Sequence, residues 1–343
     1  MIKVNLALQG GGAHGAFTWG VLDRLLDEEE IEIAGISGTS AGALNGAAVK
    51  AGMARGGREG ARDELNRLWT QMGALDDLRI PEWMSWMMPN LGALAGGLEY
   101  SLPYTFANSL SQMASPYVWG PMYRNPLERI VEKFNFDDVC SLDGPRLFVC
   151  ATCVRDGKIR VFTRDKISTR AILASACLPT LFQAVHCEDP ETGADEAFWD
   201  GGYTGNPALF PLFEPDLPRD VLIVNINPLV REDLPVSPVE IQNRINEISF
   251  NSSLLRELRA IAFVQRLIED GAIKDDAMKN VMVHLIADDQ LMNELSVATK
   301  LVPLPAVLMQ LKEAGRRAAG RFLTDHRDDL GKRQTADLRH MFG

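Results

Sequence analysis

The sequence predicts a three-layer α/β fold with a mainly parallel sheet, and three observations carry that expectation. Short apolar runs alternate with helical patterns from the first residues onward. A glycine-rich turn, Gly10 to Gly15, separates the first strand from the first helix, and a GxSxG pentapeptide, Gly38 to Gly42, separates the second strand from the second helix.

Leu6 to Leu8 ends the first strand and Ala16 to Leu26 has apolar residues at helical spacing. The run Ile31 to Ile36 leads into Ser37-Gly38-Thr39-Ser40-Ala41-Gly42, followed by the small, helix-forming stretch Ala43 to Ala51. From Gly56 to Gly120 this register is lost. The stretch holds a helical pattern at Asp63 to Met72 and then Pro81-Glu82-Trp83-Met84-Ser85-Trp86-Met87-Met88-Pro89, and it reads as a cap or insertion. Trp83, Met84, Trp86, Met87 and Met88 are expected to pack inside or to form part of a lid at a lipid entry.

A helix is expected to begin at Asn125-Pro126-Leu127, and strands return at Arg146 to Val154 and Lys158 to Phe162 around the hairpin signal Asp156-Gly157. Ser168 to Cys177 reads as a helix, Leu181 to Cys187 and Glu196 to Trp199 as strands, and Asp220 to Asn227 as a buried strand. Beyond Pro238 the chain is mostly helical, with one strand at Val281 to Ala287 and a basic tail. The domain reading is a catalytic unit over 1–230, with its cap at about 56–120, and a helical C-terminal extension over 231–343.

The chain has 343 residues, 46% hydrophobic and 24% charged, enough to bury a large core. Its net charge of −11 repels phosphate backbones, so nucleic acid is not an expected partner. The first residues run directly into a strand without a signal-peptide pattern, and no apolar run approaches the roughly 20 residues that span a bilayer. A soluble cytoplasmic protein is expected. Five cysteines suit a reducing compartment, and Cys150 and Cys153, three apart in a strand, point to opposite faces rather than to one metal.

Chemistry enters with Ser40. In a GxSxG turn between strand and helix, the glycines permit a strained elbow that lifts the hydroxyl toward the helix N-terminus, where backbone N–H groups favour developing negative charge. The glycine loop admits two uses. As a dinucleotide fingerprint it would want an acid at the tip of the second strand, where Gly35-Ile36-Ser37-Gly38 stands instead and Glu32 is too early. As an oxyanion loop it would present bare N–H groups, and a serine elbow on the adjacent strand favours this use. The base is less obvious: His186, His284, His326 and His340 could each follow in a triad, but none has a distinctive context. An α/β-hydrolase would also place several strands before the elbow, whereas here only two precede Ser40.

Four stretches together resemble the patatin-like phospholipase family: Gly10 to Gly15, Gly38 to Gly42, Ala174-Ser175-Ala176-Cys177-Leu178-Pro179, and Asp200-Gly201-Gly202. The resemblance covers roughly residues 4–228. It implies Ser40 as nucleophile, Asp200 as its general base without histidine, Gly10, Gly11 and Gly12 as oxyanion donors, and no metal or organic cofactor. Gly15, Gly38, Gly42, Gly201 and Gly202 would shape the loops. The family often carries Arg or Lys where this chain has His14, which is expected to be partly charged near neutrality and to tune the site. A lipid or ester is the implied substrate, with peripheral membrane contact and a homo-oligomer left open. Phospholipid or lysophospholipid leads, an intracellular polyester such as polyhydroxybutyrate needs the same dyad, and a non-catalytic lipid-binding protein is the reading from another class.

Overall fold

The computed structural model describes residues 1–73, 115–274, 277–295 and 297–342. The tryptophan and methionine cluster between Pro81 and Pro89 lies outside the described residues.

Along the chain the elements are β1 (Ile2–Leu8), α1 (Gly15–Leu25), β2 (Ile31–Thr39), α2 (Ala41–Met72), α3 (Glu128–Val131), α4 (Phe136–Cys140), β3 (Arg146–Cys153), β4 (Ile159–Thr163), α5 (Thr169–Ser175), β5 (Val185–Glu188), β6 (Asp195–Asp200) and β7 (Asp220–Val224). They continue with α6 (Pro238–Glu269), β8 (Met282–Ile286), α7 (Asp289–Glu294), α8 (Val297–Leu301), α9 (Pro305–His326) and α10 (Leu338–Phe342). The sheet runs β5-β6-β3-β2-β1-β7-β8, with β4 paired to β3. Its centre, β3-β2-β1-β7-β8, is parallel, while β4, β5 and β6 pair antiparallel. This is the three-layer α/β fold with a mainly parallel sheet.

Strands buried on both faces need apolar residues on both, and β1, β2 and β7 are near-continuous apolar runs for that reason. One face carries α1, α2 and α9 over a core that includes Leu6, Leu8, Phe17, Leu22, Ile36 and Leu311. The other carries α6 and α10 over Ala7, Phe148, Val221, Ile223, Leu254 and Leu338. Cys150 and Cys153 are both buried, and the alternation of β3 sends their side chains to opposite faces.

Two expectations change here. Residues 57–72, read above as the start of the cap, continue a helix that packs Ala61, Leu65, Leu68 and Trp69 into the core. The pattern broke at Gly56 and Gly57 because these two take non-helical angles, Gly57 at φ +62°, and bend α2 sharply. The residues after 230 also do not stand apart from the sheet. β8 extends it in parallel from β7, and α9 lies on α1 so closely that a methyl on Gly315 would fall 2.0 Å from the Phe17 carbonyl oxygen and one on Gly20 1.8 Å from that of Lys312.

Smaller shifts concern ends. The helix expected from Asn125 starts at Glu128, where the Asn125 side chain accepts the Leu127 N–H in a turn that precedes it. The strand expected from Leu181 begins only at Val185, because Leu181 and Phe182 both turn back onto the Leu178 carbonyl. No helix among the described residues is long and apolar enough to cross a membrane.

Candidate active site

Register brings three loops to one place. Leu8 pairs with Gly38 across β1 and β2, Thr39 pairs with Cys150 across β2 and β3, and Ala151 pairs with Asp200 across β3 and β6. The glycine loop after β1, the elbow after β2 and the end of β6 therefore emerge side by side at the carboxyl ends of the parallel strands, where open α/β sheets bind their ligands.

At the elbow Ser40 has φ +54° and ψ −121°, a region that a residue with a side chain enters only when its surroundings hold it there. The hold is visible. The Ser40 N–H donates to the Ser175 hydroxyl at 2.9 Å, and Ser175 donates in turn to the Cys150 carbonyl at 2.6 Å. Gly38 and Gly42 let strand and helix meet: a methyl on Gly42 would sit 2.1 Å from the Leu8 carbonyl oxygen. Ser40 itself is half-buried at the N-terminus of α2.

Asp200 is 2% exposed. Burial pushes its carboxyl up to about 7, against the opposing pull of a hydrogen bond from the Gly202 N–H, at 2.7 Å, and of the neighbouring Ser40 side chain. Its carbonyl accepts from Thr152 Oγ1 at 2.8 Å and its N–H donates to Cys177 O at 2.8 Å, so the backbone around the carboxyl is fixed on both sides. Gly201 and Gly202 carry the chain past crowded neighbours, since a methyl on Gly201 would lie 2.2 Å from the Cys150 carbonyl oxygen. A carboxyl that titrates near neutrality beside a serine hydroxyl can accept that hydroxyl's proton at physiological pH.

None of the five histidines hydrogen-bonds Ser40 or Asp200. His284 is buried between Asp220 Oδ1, at 3.0 Å, and Thr335 Oγ1, at 3.1 Å, in β8, three strands from the elbow. His186 lies on the outer strand beside Asp195, His326 beside Asp329, and His340 is exposed.

The glycine loop corrects two expectations. Gly10 does not offer its N–H to a substrate, because that group donates to Asn206 Oδ1 at 2.6 Å. Its contribution is the missing side chain: a methyl there would fall 2.7 Å from Ser40 Cβ and 2.8 Å from the Thr39 carbonyl oxygen. Gly11 and Gly12 have N–H groups with no acceptor among the described residues, Gly12 at φ +58° under the Lys300 carbonyl. The Gly15 N–H turns back onto Gly12 O, and a methyl on Gly15 would meet Ala41 Cβ at 2.6 Å.

His14 is 1% exposed, with Nε2 on Thr299 Oγ1 at 2.8 Å. Burial and, after it, the charge of Lys300 hold its pKa well below the usual histidine range, so it is neutral near pH 7 rather than partly charged. The cation near the loop is instead Lys300 from α8, whose ammonium donates to Asn227 Oδ1 at 3.2 Å and lies 4.0 Å from Glu247. Burial lowers this lysine to about 8.

Sequence reasoning missed a set of buried amides behind the loop. Gln9 Oε1 accepts from the N–H groups of Ile226, at 2.8 Å, and Asn227, at 3.0 Å, while its amide donates to Asn206 O and Asn251 Oδ1. Asn251, on α6, donates to the carbonyls of Asn227 and Pro228, and Ser253 of the same helix accepts the Asn206 N–H at 3.1 Å. Glu257, one turn further on, accepts the N–H groups of Leu209 and Phe210. Gln9, next to Gly10, and Asn206, in the loop after Asp200, were the signals in the sequence that could have found them.

Among the described residues no group of His, Cys, Asp and Glu is arranged to hold a metal ion. The patatin-like phospholipase family model matches residues 6–213. No curated protein matches the chain. Among solved structures, VipD from Legionella pneumophila aligns over 94% of this chain and 67% of its own at 15% identity, with a TM-score of 0.43. The type III effector protein ExoU aligns over 94% of this chain and 53% of its own at 14% identity, with a TM-score of 0.35. The family match takes in the glycine loop, the elbow and Asp200, more than half of the chain, and the chain therefore belongs to the patatin-like phospholipase family of lipid hydrolases.

Proposed function

We propose that this chain hydrolyses acyl esters of phospholipids or lysophospholipids with Ser40 as nucleophile and Asp200 as the only side-chain base. The observation that carries the reading is the buried Asp200 carboxyl, raised to about 7 beside the Ser40 side chain. Ser40 Oγ attacks the ester carbonyl carbon while its proton passes to the Asp200 carboxylate. The carbonyl oxygen, now an oxyanion, is received by the N–H groups of Gly11, Gly12 and Ala41 at the start of α2. Collapse of the tetrahedral species expels the alcohol, which takes the proton back from Asp200. Water then attacks the acyl-enzyme, gives a proton to Asp200, and the fatty acid leaves as Ser40 regains its hydrogen.

Five free thiols, four of them buried, support a reducing compartment for the protein. The test is a panel of phospholipid vesicles, lysophospholipid, short-chain esters and polyhydroxybutyrate granules, run on the native chain, Ser40→Ala, Asp200→Asn and the double variant. Residues that act as one unit lose nearly all turnover singly, and the second loss adds little. A folded Asp200→Asn enzyme with near-normal turnover, or one essential histidine, would replace the dyad with a triad.

A further inference from the structure

The buried amides behind the glycine loop converge on one peptide group. Gly10 donates its N–H to Asn206 Oδ1 at 2.6 Å, and its carbonyl accepts from Asn227 Nδ2 at 2.9 Å and from Asn206 Nδ2 at 3.4 Å. Asn206 and Asn227 are each 1% exposed and Gln9 is fully buried. Amide groups are costly to bury, and a network of them persists where it fixes a geometry that apolar packing would leave loose.

What it fixes follows from the planar trans peptide, in which the C=O of one residue and the N–H of the next point in opposite directions. With the Gly10 carbonyl turned into Asn227 and Asn206, the Gly11 N–H is turned away from them, on a loop whose Gly10 touches Ser40. We propose that Asn206 and Asn227 are positioning residues that clamp the Gly10 peptide and thereby aim the Gly11 N–H as an oxyanion donor. This rests on Ser40 being the nucleophile.

The orientation of Asn227 is set from two sides. Its NH₂ faces two acceptors, Gly10 O and Gln9 Oε1 at 3.2 Å, and its oxygen faces the Lys300 ammonium, which can only donate. Lys300 thus keeps the amide from flipping. Asn206 is held in turn by Ser253, and the Asn227 carbonyl by Asn251, both from α6. By this account the late part of the chain contributes no reacting atom and yet determines where the oxyanion donor points.

The experiment uses the full chain with Asn206→Ala, Asn227→Ala and Lys300→Met. Each is assayed for kcat and KM on a soluble short-chain ester. Each is also assayed for the affinity of an alkyl trifluoromethyl ketone, whose adduct with serine places an oxyanion in the hole, and of the matching alkyl alcohol, which forms no adduct. Both asparagine variants should lose roughly 10- to 100-fold in kcat, as misaimed supporting residues do. KM and alcohol affinity should stay unchanged while ketone affinity falls by the same factor as kcat/KM. Lys300→Met should move the same quantities in the same direction by less, and it decides the matter if the asparagine variants do not fold. Unchanged kcat and ketone affinity would overturn the clamp. So would parallel losses in KM, alcohol binding and melting temperature. Ser40→Ala run alongside separates the two readings: full turnover there sinks the nucleophile assignment, whereas an inactive Ser40→Ala beside fully active asparagine variants sinks the clamp alone.

Discussion

The hydroxyl of Ser175 accepts a hydrogen bond from the N–H of Ser40 and donates one to the Cys150 carbonyl, so one buried side chain ties the strained elbow to the middle of β3. The arrangement also means that the N–H of Ser40 is already used. Ser175→Ala leaves a donor and an acceptor unsatisfied at once, which costs roughly 1–3 kcal/mol for a buried group. The melting temperature of that variant should fall by several degrees, and kcat should drop by about tenfold as the elbow relaxes from φ +54°. A variant with native stability and native kcat would show that the elbow is held by its glycines alone.

Asp200 gives the pH dependence a definite sign. Its carboxyl must be ionised to take a proton, and burial raises it to about 7. The value of kcat/KM on a short-chain ester should therefore climb through an inflection near pH 7 rather than near 4. Stability should move the other way. The folded state holds this proton more tightly than the unfolded chain, so stability from Asp200 is present at low pH and is lost as pH rises from about 4 to 7, at about 1.4 kcal/mol per unit of displacement. Asp200→Asn should abolish turnover and melt higher than the native chain at pH 8. An ascending limb that stays near pH 4 would contradict the burial argument.

His14 has the opposite linkage. Its folded pKa lies below the usual 6.5, so its contribution to stability is present above pH 6.5 and is lost as pH falls further, because the unfolded chain then binds the proton first. Urea denaturation between pH 7 and 5 should show a steeper loss for the native chain than for His14→Leu. The shape of the kcat/KM profile around neutrality should be the same in both. His14→Arg should destabilise the fold by burying a charge beside Lys300 rather than flatten that profile. An inactive, folded His14→Leu enzyme would return this residue to the chemistry.

The parts of the site that were legible in the sequence are those set by short spacing. Ser40 stands between Gly38 and Gly42, and Gly10 to Gly15 follow a strand directly, so local geometry alone gives their turns a meaning. Asp200 could be found only through its company, because Asp-Gly-Gly by itself reads as a turn. The amide clamp left only a faint trace, Gln9 beside Gly10 and Asn206 after Asp200, because its partners are remote: Gln9 meets Asn251 across 242 positions, and His14 meets Thr299 across 285. A lone asparagine or histidine carries no sign of a partner that far away, which is why His14 was expected to be partly charged near neutrality. The bend in α2 was visible as a lost period at Gly56, but not that the helix resumes beyond it, since a pattern gives phase and not direction.

The close crossing of α1 and α9 at Gly20 and Gly315 sets a timetable for synthesis. Phe17, Val21 and Leu22 of α1 belong to a core that also holds Val307, Leu308 and Leu311, and the last three leave the ribosome almost three hundred residues after the first. Ser40 and Asp200 are both made well before that cover arrives. Contacts so distant along the chain form late and slowly, and apolar surface stays open until they do. This arrangement implies that, while the chain from Asp200 to Pro305 is being made, the nascent protein carries Ser40 and Asp200 without the packed helix layer that α9 adds. That layer closes only once α9, Pro305–His326, has been made.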